Sequence, residues 1–188
     1  MRWLIGGQGK SGIDADMPIL IVLLTCQLVN SFVDRDPSHA VHADPITMLK
    51  GLSPLLSPDL LHVLASMSHG DEIVLADANF PAATHARRLV AMPGVDTPQL
   101  LEAVLSVMPL DDFVAQPAFT MQTVSDPADV PAVVQAFDAA LQRHGCAASS
   151  ALERFAFYQR AAGAFAIVAT GECRVYGNIL LKKGVVRI

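Results

Sequence analysis

An uninterrupted apolar run, Ile73-Val74-Leu75-Ala76, constrains this chain more than any other stretch. Nothing polar interrupts it and β-branched residues begin it, a pattern typical of a strand that is covered on both faces. Such strands belong to parallel or mixed sheets with helices packed against them, and ligands bind beyond the carboxyl ends of the strands. Asp77 falls at that end, whereas His69 lies in the turn that enters the strand. The segment therefore predicts one strand with an imidazole at its start and a carboxylate at its end.

Helical and strand-like segments alternate along residues 48–188. Ser57-Pro58 and Thr97-Pro98 each place a hydroxyl before a proline, which indicates the start of a helix. A third helix opens near Asp129 and ends at Gly145, and Ser149 or Ser150 is the predicted cap of a fourth. Further strands are predicted over residues 89–92, 113–124, 165–169 and 179–181. This alternation favours an α/β domain, a layered parallel or mixed sheet flanked by helices.

Residues 1–47 differ from the rest of the chain. An apolar run begins at Met17 and ends near Val29, which is too short for a membrane span of about 20 residues. A signal peptide is an alternative because Val41-His42-Ala43 mimics a cleavage site, but aspartates precede the run and that site lies far beyond it. We predict that residues 1–47 are an extension upstream of the true start at Met48, and that residues 48–188 form the functional domain.

The composition excludes some classes of function. Hydrophobic residues make up 52% of the chain and charged residues 16%, so we expect subunit interfaces to cover part of the apolar surface. A net charge of −5 offers no basic field for nucleic acid. Cys26, Cys146 and Cys173 form no CxxC pair and lack the histidine spacing of a zinc site, which fits a reducing, cytoplasmic compartment. Gly6-Gly7-Gln8-Gly9 has no strand before it and no Walker lysine after it, so no nucleotide cofactor is expected.

The side chains with chemical potential are of the types that bind sugars. Carboxylate, guanidinium and amide groups offer paired donors and acceptors for adjacent hydroxyls, and an imidazole can give or take a proton near neutral pH. The candidates are Asp77, Arg154, Tyr158, Tyr176 and Asn178, with His69 as the proton carrier. Structural interpretations stay open for single residues: Arg154 as a surface cation, Tyr158 as a core aromatic, and Asn178 as a turn former.

Several sequence motifs occur in a characteristic order along the domain. They include Ser-His-Gly-Asp-Glu-Ile, Asp-Ala-Asn-Phe-Pro, Arg-Phe-Ala-Phe-Tyr and Tyr-Gly-Asn-Ile-Leu-Leu, and the segments that carry them span residues 48–58, 68–73, 77–81, 154–158 and 176–184. In these segments the chain resembles the fucose mutarotase branch of the ribose pyranase/fucose mutarotase family. Residues 1–47 have no counterpart in that family, and Ser68 replaces a glycine that is frequent there.

The resemblance implies a fold, an activity and a set of site residues. The expected activity is an isomerase that interconverts the α and β anomers of L-fucose and similar free aldoses by acid–base ring opening. By their positions in the motifs, His69 is the expected proton donor, and the expected substrate contacts are Asp77, Arg154, Tyr176, Gly177 and Asn178, with Tyr158 as a further candidate. No metal or other cofactor is implied. The implied partners are a monosaccharide and other copies of the chain, in a decameric ring or a smaller oligomer with sites near subunit boundaries.

Three alternatives stay open from the sequence. One is a D-ribose pyranase-type isomerase that interconverts pyranose and furanose rings by the same proton transfers. Another is a sugar-binding or assembly protein without catalytic activity. The third makes the apolar run after Met17 a membrane anchor or export signal. The general base is also open between a bound water and a tyrosine.

Overall fold

A computed structural model of the protein describes residues 49–187. The predicted N-terminal extension and its apolar run lie outside this range, and their nature stays a prediction. Within the described part of the chain, none of the helices combines the length and the apolar character that crossing a bilayer requires.

Helices and strands alternate through the described residues, which confirms the predicted α/β class. The helices are α1 (Pro58–Ser66), α2 (Ala82–His85), α3 (Thr97–Leu105), α4 (Ala132–Arg143) and α5 (Arg154–Gly163). The strands are β1 (Glu72–Ala76), β2 (Leu89–Met92), β3 (Ala118–Met121), β4 (Ser150–Leu152), β5 (Ala166–Thr170) and β6 (Ile179–Lys182).

The strands form one mixed sheet in the order β2-β5-β1-β6-β3-β4. Strand β1 pairs in parallel with β5, where Ala76 is opposite Ala169, and antiparallel with β6, where Leu75 is opposite Ile179. The end of β1 therefore lies beside the end of β5 and the start of β6. Two loops meet at this end of the sheet, one that follows β1 and one that joins β5 to β6, and they carry most of the predicted site residues.

Strand β1 is buried on both faces, as its apolar run predicts. Ile73 and Leu75 point into a core formed with α1, α3 and α4, while Val74 and Ala76 point into a second core that includes Phe157 of α5. All four of these strand residues are fully buried. Burial on both sides fixes the strand in position, so the residues at its two ends are held rigidly.

Two helix boundaries follow the local sequence signals. Ser57 caps α1, because its Oγ accepts a hydrogen bond from the N–H of Leu60 at 3.3 Å. At the end of α4, Gly145 adopts φ +73° and donates to the Gln142 carbonyl, while Cys146 N–H donates to the Leu141 carbonyl. This paired arrangement is the Schellman motif, and glycine suits its left-handed position.

Two predicted helix caps are wrong. Asp96, not Thr97, caps α3: its Oδ1 accepts from the Gln99 N–H at 2.9 Å, whereas the Thr97 hydroxyl is buried 3.0 Å from that of Thr170. Glu153, rather than Ser149 or Ser150, caps α5 by accepting from the two N–H groups that follow Arg154. In both places the hydroxyl residue makes a long-range contact instead: Thr97 lies against Thr170, and Ser150 pairs with β3 as part of β4.

The strand predicted over residues 113–124 is shorter than expected, because β3 covers only Ala118–Met121. Phe113 lies before it in a turn, where its N–H donates to Asp111 Oδ1 at 3.0 Å. Beyond β3, the Thr123 hydroxyl donates to the Asp126 carbonyl and closes another turn. Side-chain hydrogen bonds to the backbone therefore compete with strand pairing at both ends of this segment.

Candidate active site

A cavity of about 300 Å³ opens at the end of the sheet where β1 and β5 end and β6 begins. Its lining combines polar groups with aromatic and aliphatic side chains: Asp77, Asn79, Phe80, Met121, Arg154, Tyr158, Val175, Tyr176 and Asn178. Five of the predicted site residues therefore converge from three separate segments of the chain. A mostly apolar pocket with a few convergent polar groups is the usual form of a small-molecule site.

Asp77 and Asn178 are the most deeply buried of these polar residues, each at 3% exposed. The Oδ1 of Asp77 accepts from the Asn79 N–H at 2.9 Å, and its Oδ2 accepts from the Gly177 N–H at 3.1 Å and from Asn178 Nδ2 at 2.7 Å. Burial raises the pKa of the Asp77 carboxyl above its ordinary value, although these hydrogen bonds oppose the change. The result is a carboxyl group fixed in orientation at the wall of the cavity.

The loop before β6 holds its residues in an unusual backbone conformation. Tyr176 adopts φ +64°, the left-handed region that a tyrosine occupies only when its surroundings hold it there. Gly177 follows, and a Cβ atom there would lie 2.6 Å from Glu172 Cγ and 3.3 Å from Asp77 Cβ. The Tyr176 hydroxyl accepts from the Val124 N–H at 3.2 Å, so its own proton remains available to a ligand. Close packing thus places the phenol and the Asn178 amide on the same cavity wall.

Arg154 enters the cavity from the start of α5. Its guanidinium carbon lies 4.8 Å from the centre of the Phe155 ring, and its Nε is buried without a hydrogen-bond partner among residues 49–187. A buried donor left unsatisfied costs about 1–3 kcal/mol, which a ligand acceptor would recover. The arrangement suits a hydroxyl or carbonyl oxygen bound at this position.

Tyr158 lies one helical turn after Arg154 and lines the same cavity. Its ring meets Phe80 at a centroid distance of 5.5 Å, and it stacks on His85 at 5.6 Å with an interplanar angle of 11°. The sequence motifs did not identify His85, since a histidine at the end of a one-turn helix carries no recognisable spacing.

His69 lies away from this cavity. It precedes β1 while Asp77 follows it, and at about 3.3 Å per residue the 5 residues of β1 span roughly 17 Å. The His69 side chain is 48% exposed, so it is accessible to solvent at the opposite edge of the sheet. A single chain therefore brings Asp77, Arg154, Tyr158 and the 176–178 loop together at one cavity. Its own His69 lies elsewhere.

Asp111 orients the His69 ring. His69 Nε2 lies 3.1 Å from Oδ1 of Asp111, a carboxylate that is 2% exposed, and Lys182 Nζ lies 3.7 Å from the other oxygen. Desolvation works to raise the pKa of Asp111, but hydrogen bonds from Phe113 N–H and His69, with the charge of Lys182, hold it below its ordinary value. An ionised carboxylate only accepts, so Nε2 carries a proton and Nδ1 is the ring atom left for another partner.

The environment of His69 also includes the Phe113 ring, at a centroid distance of 5.5 Å. Neither Asp111 nor Phe113 lies in one of the sequence motifs. Within residues 49–187, no group of His, Cys, Asp and Glu side chains has the arrangement of a metal site.

Comparison with known proteins places the chain in a family. Residues 50–186 match the model of the RbsD / FucU transport protein family. Fucose mutarotase of Bos taurus is 49% identical over 148 residues, which cover 74% of this chain and 95% of that protein. Fucose mutarotase of Homo sapiens is 48% identical over 149 residues, with 74% and 96% covered.

A solved structure agrees with these relatives. The crystal structure of the fucose mutarotase from Streptococcus pneumoniae in complex with L-fucose is 45% identical, covers 74% of this chain and 100% of its own, and superposes with a TM-score of 0.71. Because the family match spans most of the chain and these relatives align over nearly their whole length, the chain belongs to the RbsD / FucU transport protein family.

Proposed function

We propose that this protein is a mutarotase that interconverts the α and β anomers of L-fucose. The observation that carries the proposal is the cavity at the end of β1, where Asp77, Arg154 and Asn178 offer acceptors and donors to adjacent hydroxyls. The relatives named fucose mutarotase and the structural neighbour with bound L-fucose support this choice of sugar.

The reaction moves two protons and one carbon–oxygen bond. A proton reaches the ring oxygen O5 as the C1–O5 bond breaks, and the anomeric hydroxyl loses its proton as C1 becomes an aldehyde carbon. Rotation about C1–C2 presents the other face of the carbonyl to the O5 hydroxyl, and the reverse proton transfers close the ring. A positioned acid or base contributes typically about 10²–10⁴-fold to such a step.

In the proposed complex, the cavity residues grip the sugar. Asp77 accepts from one ring hydroxyl, and the unpartnered Nε–H of Arg154 donates to another. Tyr176 and Asn178 hold the anomeric end, with the backbone of Gly177 between them. Tyr158 supplies a further phenol, and either a tyrosine or a bound water takes the role of the general base.

His69 is the proposed proton donor. Asp111 accepts a hydrogen bond from Nε2–H of His69, so the other ring nitrogen, Nδ1, is the position from which the imidazole would donate a proton to O5. In this role the Asp111 carboxylate fixes the orientation of the ring.

We further propose that His69 acts on a sugar held by a neighbouring copy of the chain. Exposed apolar side chains lie near both the cavity and His69: Val124, Phe155 and Val175 beside the cavity, and Phe113 and Val186 on the His69 side. A contact that joins one end of the sheet to the opposite end of the sheet in the next copy is heterologous, and such contacts form a ring when the rotation from copy to copy closes. The family resemblance makes a decamer the expected ring, and the scattered cysteines make the cytoplasm the expected location.

Magnetisation-transfer NMR between the anomeric protons of L-fucose tests the function. The wild-type protein should accelerate exchange above the buffer rate, and His69→Asn should lower the acceleration by about 10²–10⁴-fold. His62→Asn, on an exposed face of α1, is the matched control and should keep the wild-type rate. Exchange at the buffer rate in both proteins would leave only sugar binding, and equal acceleration by both would exclude His69 as the proton donor. Faster ring-size exchange of D-ribose would favour the pyranase alternative.

A further inference from the structure

Three aromatic rings form a triangle at the cavity: Phe80 and Tyr158 line it, and His85 lies outside the lining. Phe80 meets Tyr158 at 5.5 Å and His85 at 6.1 Å, both tilted, while His85 and Tyr158 stack almost parallel at 5.6 Å. Phe80 also contacts the fully buried ring of Phe157 edge-on at 6.0 Å. The triangle is thus anchored to the core through Phe80, and both Phe80 and Tyr158 reach the cavity.

Local structure explains why His85 reaches Tyr158. After Asp77, the chain turns at Pro81 into α2, a single turn in which the His85 N–H donates to the Pro81 carbonyl at 3.2 Å. Ala82 is buried under this turn, which presses α2 against the sheet. The segment after β1 therefore places Asp77 in the cavity and, a few residues later, places the His85 imidazole against the Tyr158 ring.

The two tyrosines of the cavity are held in different ways. Tyr176 has a hydrogen bond between its hydroxyl and the Val124 N–H. The Tyr158 hydroxyl makes no hydrogen bond within residues 49–187, so packing of the ring, including its contacts with Phe80 and His85, sets the direction of this phenol. Of its two ring partners, only His85 lies parallel to the phenol, so it lies against one face of the ring and opposes a swing of the whole side chain towards that face, the movement that would displace the hydroxyl.

We propose that His85 is a positioning residue, which holds the Tyr158 ring so that its hydroxyl meets the sugar. The inference rests on the proposed function, because it assigns the Tyr158 phenol to sugar binding. His85 acts through Tyr158 and does not line the cavity itself. Its loss should therefore weaken sugar binding and leave the proton transfers at His69 intact.

Kinetics of L-fucose exchange test the role. His85→Ala should raise KM about two- to tenfold, the change expected when one aromatic pair is lost, with kcat within about twofold of wild type. His85→Phe keeps a stacked ring and should restore KM. The control His62→Ala, on an exposed helix face, should leave both constants unchanged.

Fluorine NMR reads the ring directly. The chain contains 2 tyrosines, so protein labelled with 3-fluorotyrosine gives two signals, and Tyr158→Phe identifies one of them. In the absence of sugar, His85→Ala should shift or broaden the Tyr158 signal and leave that of Tyr176 in place. Because this measurement needs no turnover, a wild-type protein that fails to exchange L-fucose counts against the proposed function alone.

If His85 positions Tyr158, the KM for L-fucose and the Tyr158 fluorine signal should both change in His85→Ala. An unchanged Tyr158 signal in His85→Ala would overturn the inference, because the imidazole would then not hold the ring. An altered signal or a lower Tm with an unchanged KM would overturn it as well, since His85 would then serve stability only.

Discussion

Asp77 and Asn178 form a reciprocal pair of hydrogen bonds. The Asp77 N–H donates to Asn178 Oδ1 at 2.8 Å, and Asn178 Nδ2 donates to Asp77 Oδ2 at 2.7 Å. The two residues follow β1 and precede β6, which are antiparallel neighbours, so the pair ties two loops across the edge of the sheet. The Asn178 amide serves both hydrogen bonds from one planar group, because its oxygen accepts while its NH2 group donates.

Asn178→Asp should therefore damage both stability and activity. The change places a second carboxylate against the buried Asp77 carboxyl, whose pKa burial already raises. We expect a loss of about 1–3 kcal/mol in the free energy of unfolding, together with an L-fucose kcat/KM at least about tenfold lower. Urea unfolding and anomer-exchange NMR measure the two effects. Gln159→Glu, an exposed amide-to-acid change on α5, is the control, and equal behaviour of the two variants would contradict the assigned role.

Gly177→Ala should distort the 176–178 loop. Its new Cβ would meet Glu172 Cγ at 2.6 Å and the Arg174 carbonyl at 3.0 Å, so the loop or the Glu172 side chain must move. Overpacking of this kind costs about 1–3 kcal/mol. Gly94→Ala is a matched control, since nothing lies within 4 Å of a Cβ built there. Thermal unfolding and KM for L-fucose should change for the first variant only; a wild-type Tm and KM in Gly177→Ala would show that the loop tolerates a side chain.

The Glu172–Arg174 ion pair should make stability fall in acid. Burial works to raise the pKa of Glu172, but the hydrogen bonds and charge of Arg174 hold it below its ordinary value of 4.5. Because the pKa is lower in the folded than in the unfolded state, this contribution is fully present above pH 4.5 and is lost as the pH falls through the lowered folded value.

Urea unfolding from neutral pH down to about pH 3 checks this expectation. Glu172→Gln should be less stable than wild type at neutral pH, and the difference should shrink as the acid limit is approached. Asp129→Asn, at an exposed position, should follow the wild-type curve. A constant offset between Glu172→Gln and wild type across the whole range would rule out the proposed linkage.

Complementation between inactive variants should reveal a site shared by two copies. If His69 acts on a sugar in a neighbouring subunit, His69→Asn and Asp77→Asn are each inactive alone, but mixed oligomers regain activity. Random mixing should restore about a quarter of the wild-type rate, because one in four neighbouring pairs joins an intact His69 to an intact Asp77. Arg154→Met in place of Asp77→Asn repeats the test with the buried carboxyl unchanged. No recovery in either mixture, although mixed oligomers form, would place the whole site within one chain.

Strand β1 shows what the sequence reveals well. Its apolar run predicts burial on both faces, and the structure confirms it because a strand with no polar side has to be covered twice. The Ser57 cap is also confirmed, since its hydrogen bond reaches only three residues ahead. Thr97 has the same local signal, but its hydroxyl lies against that of Thr170, and no local pattern reports a contact so distant in sequence.

The candidate site follows the same division. The motifs predict Asp77, Arg154 and the 176–178 loop, and these do converge on one cavity. Asp111 and His85 were missed because each owes its place to one ring contact or hydrogen bond across the fold: Asp111 binds His69, 42 residues earlier, and His85 stacks on a helix far along the chain. Residues that orient other residues leave a weaker trace in sequence than residues inside motifs.

Because strand β1 keeps His69 and Asp77 apart within one chain, the rate per chain would depend on the concentration of the protein. Each copy would supply the proton donor to one neighbour and the sugar-binding cavity to another. Dilution that separates the copies would therefore abolish activity without unfolding the chain. Excess of a well-folded but inert variant would likewise poison its wild-type companions, by occupying places in the ring that active copies need.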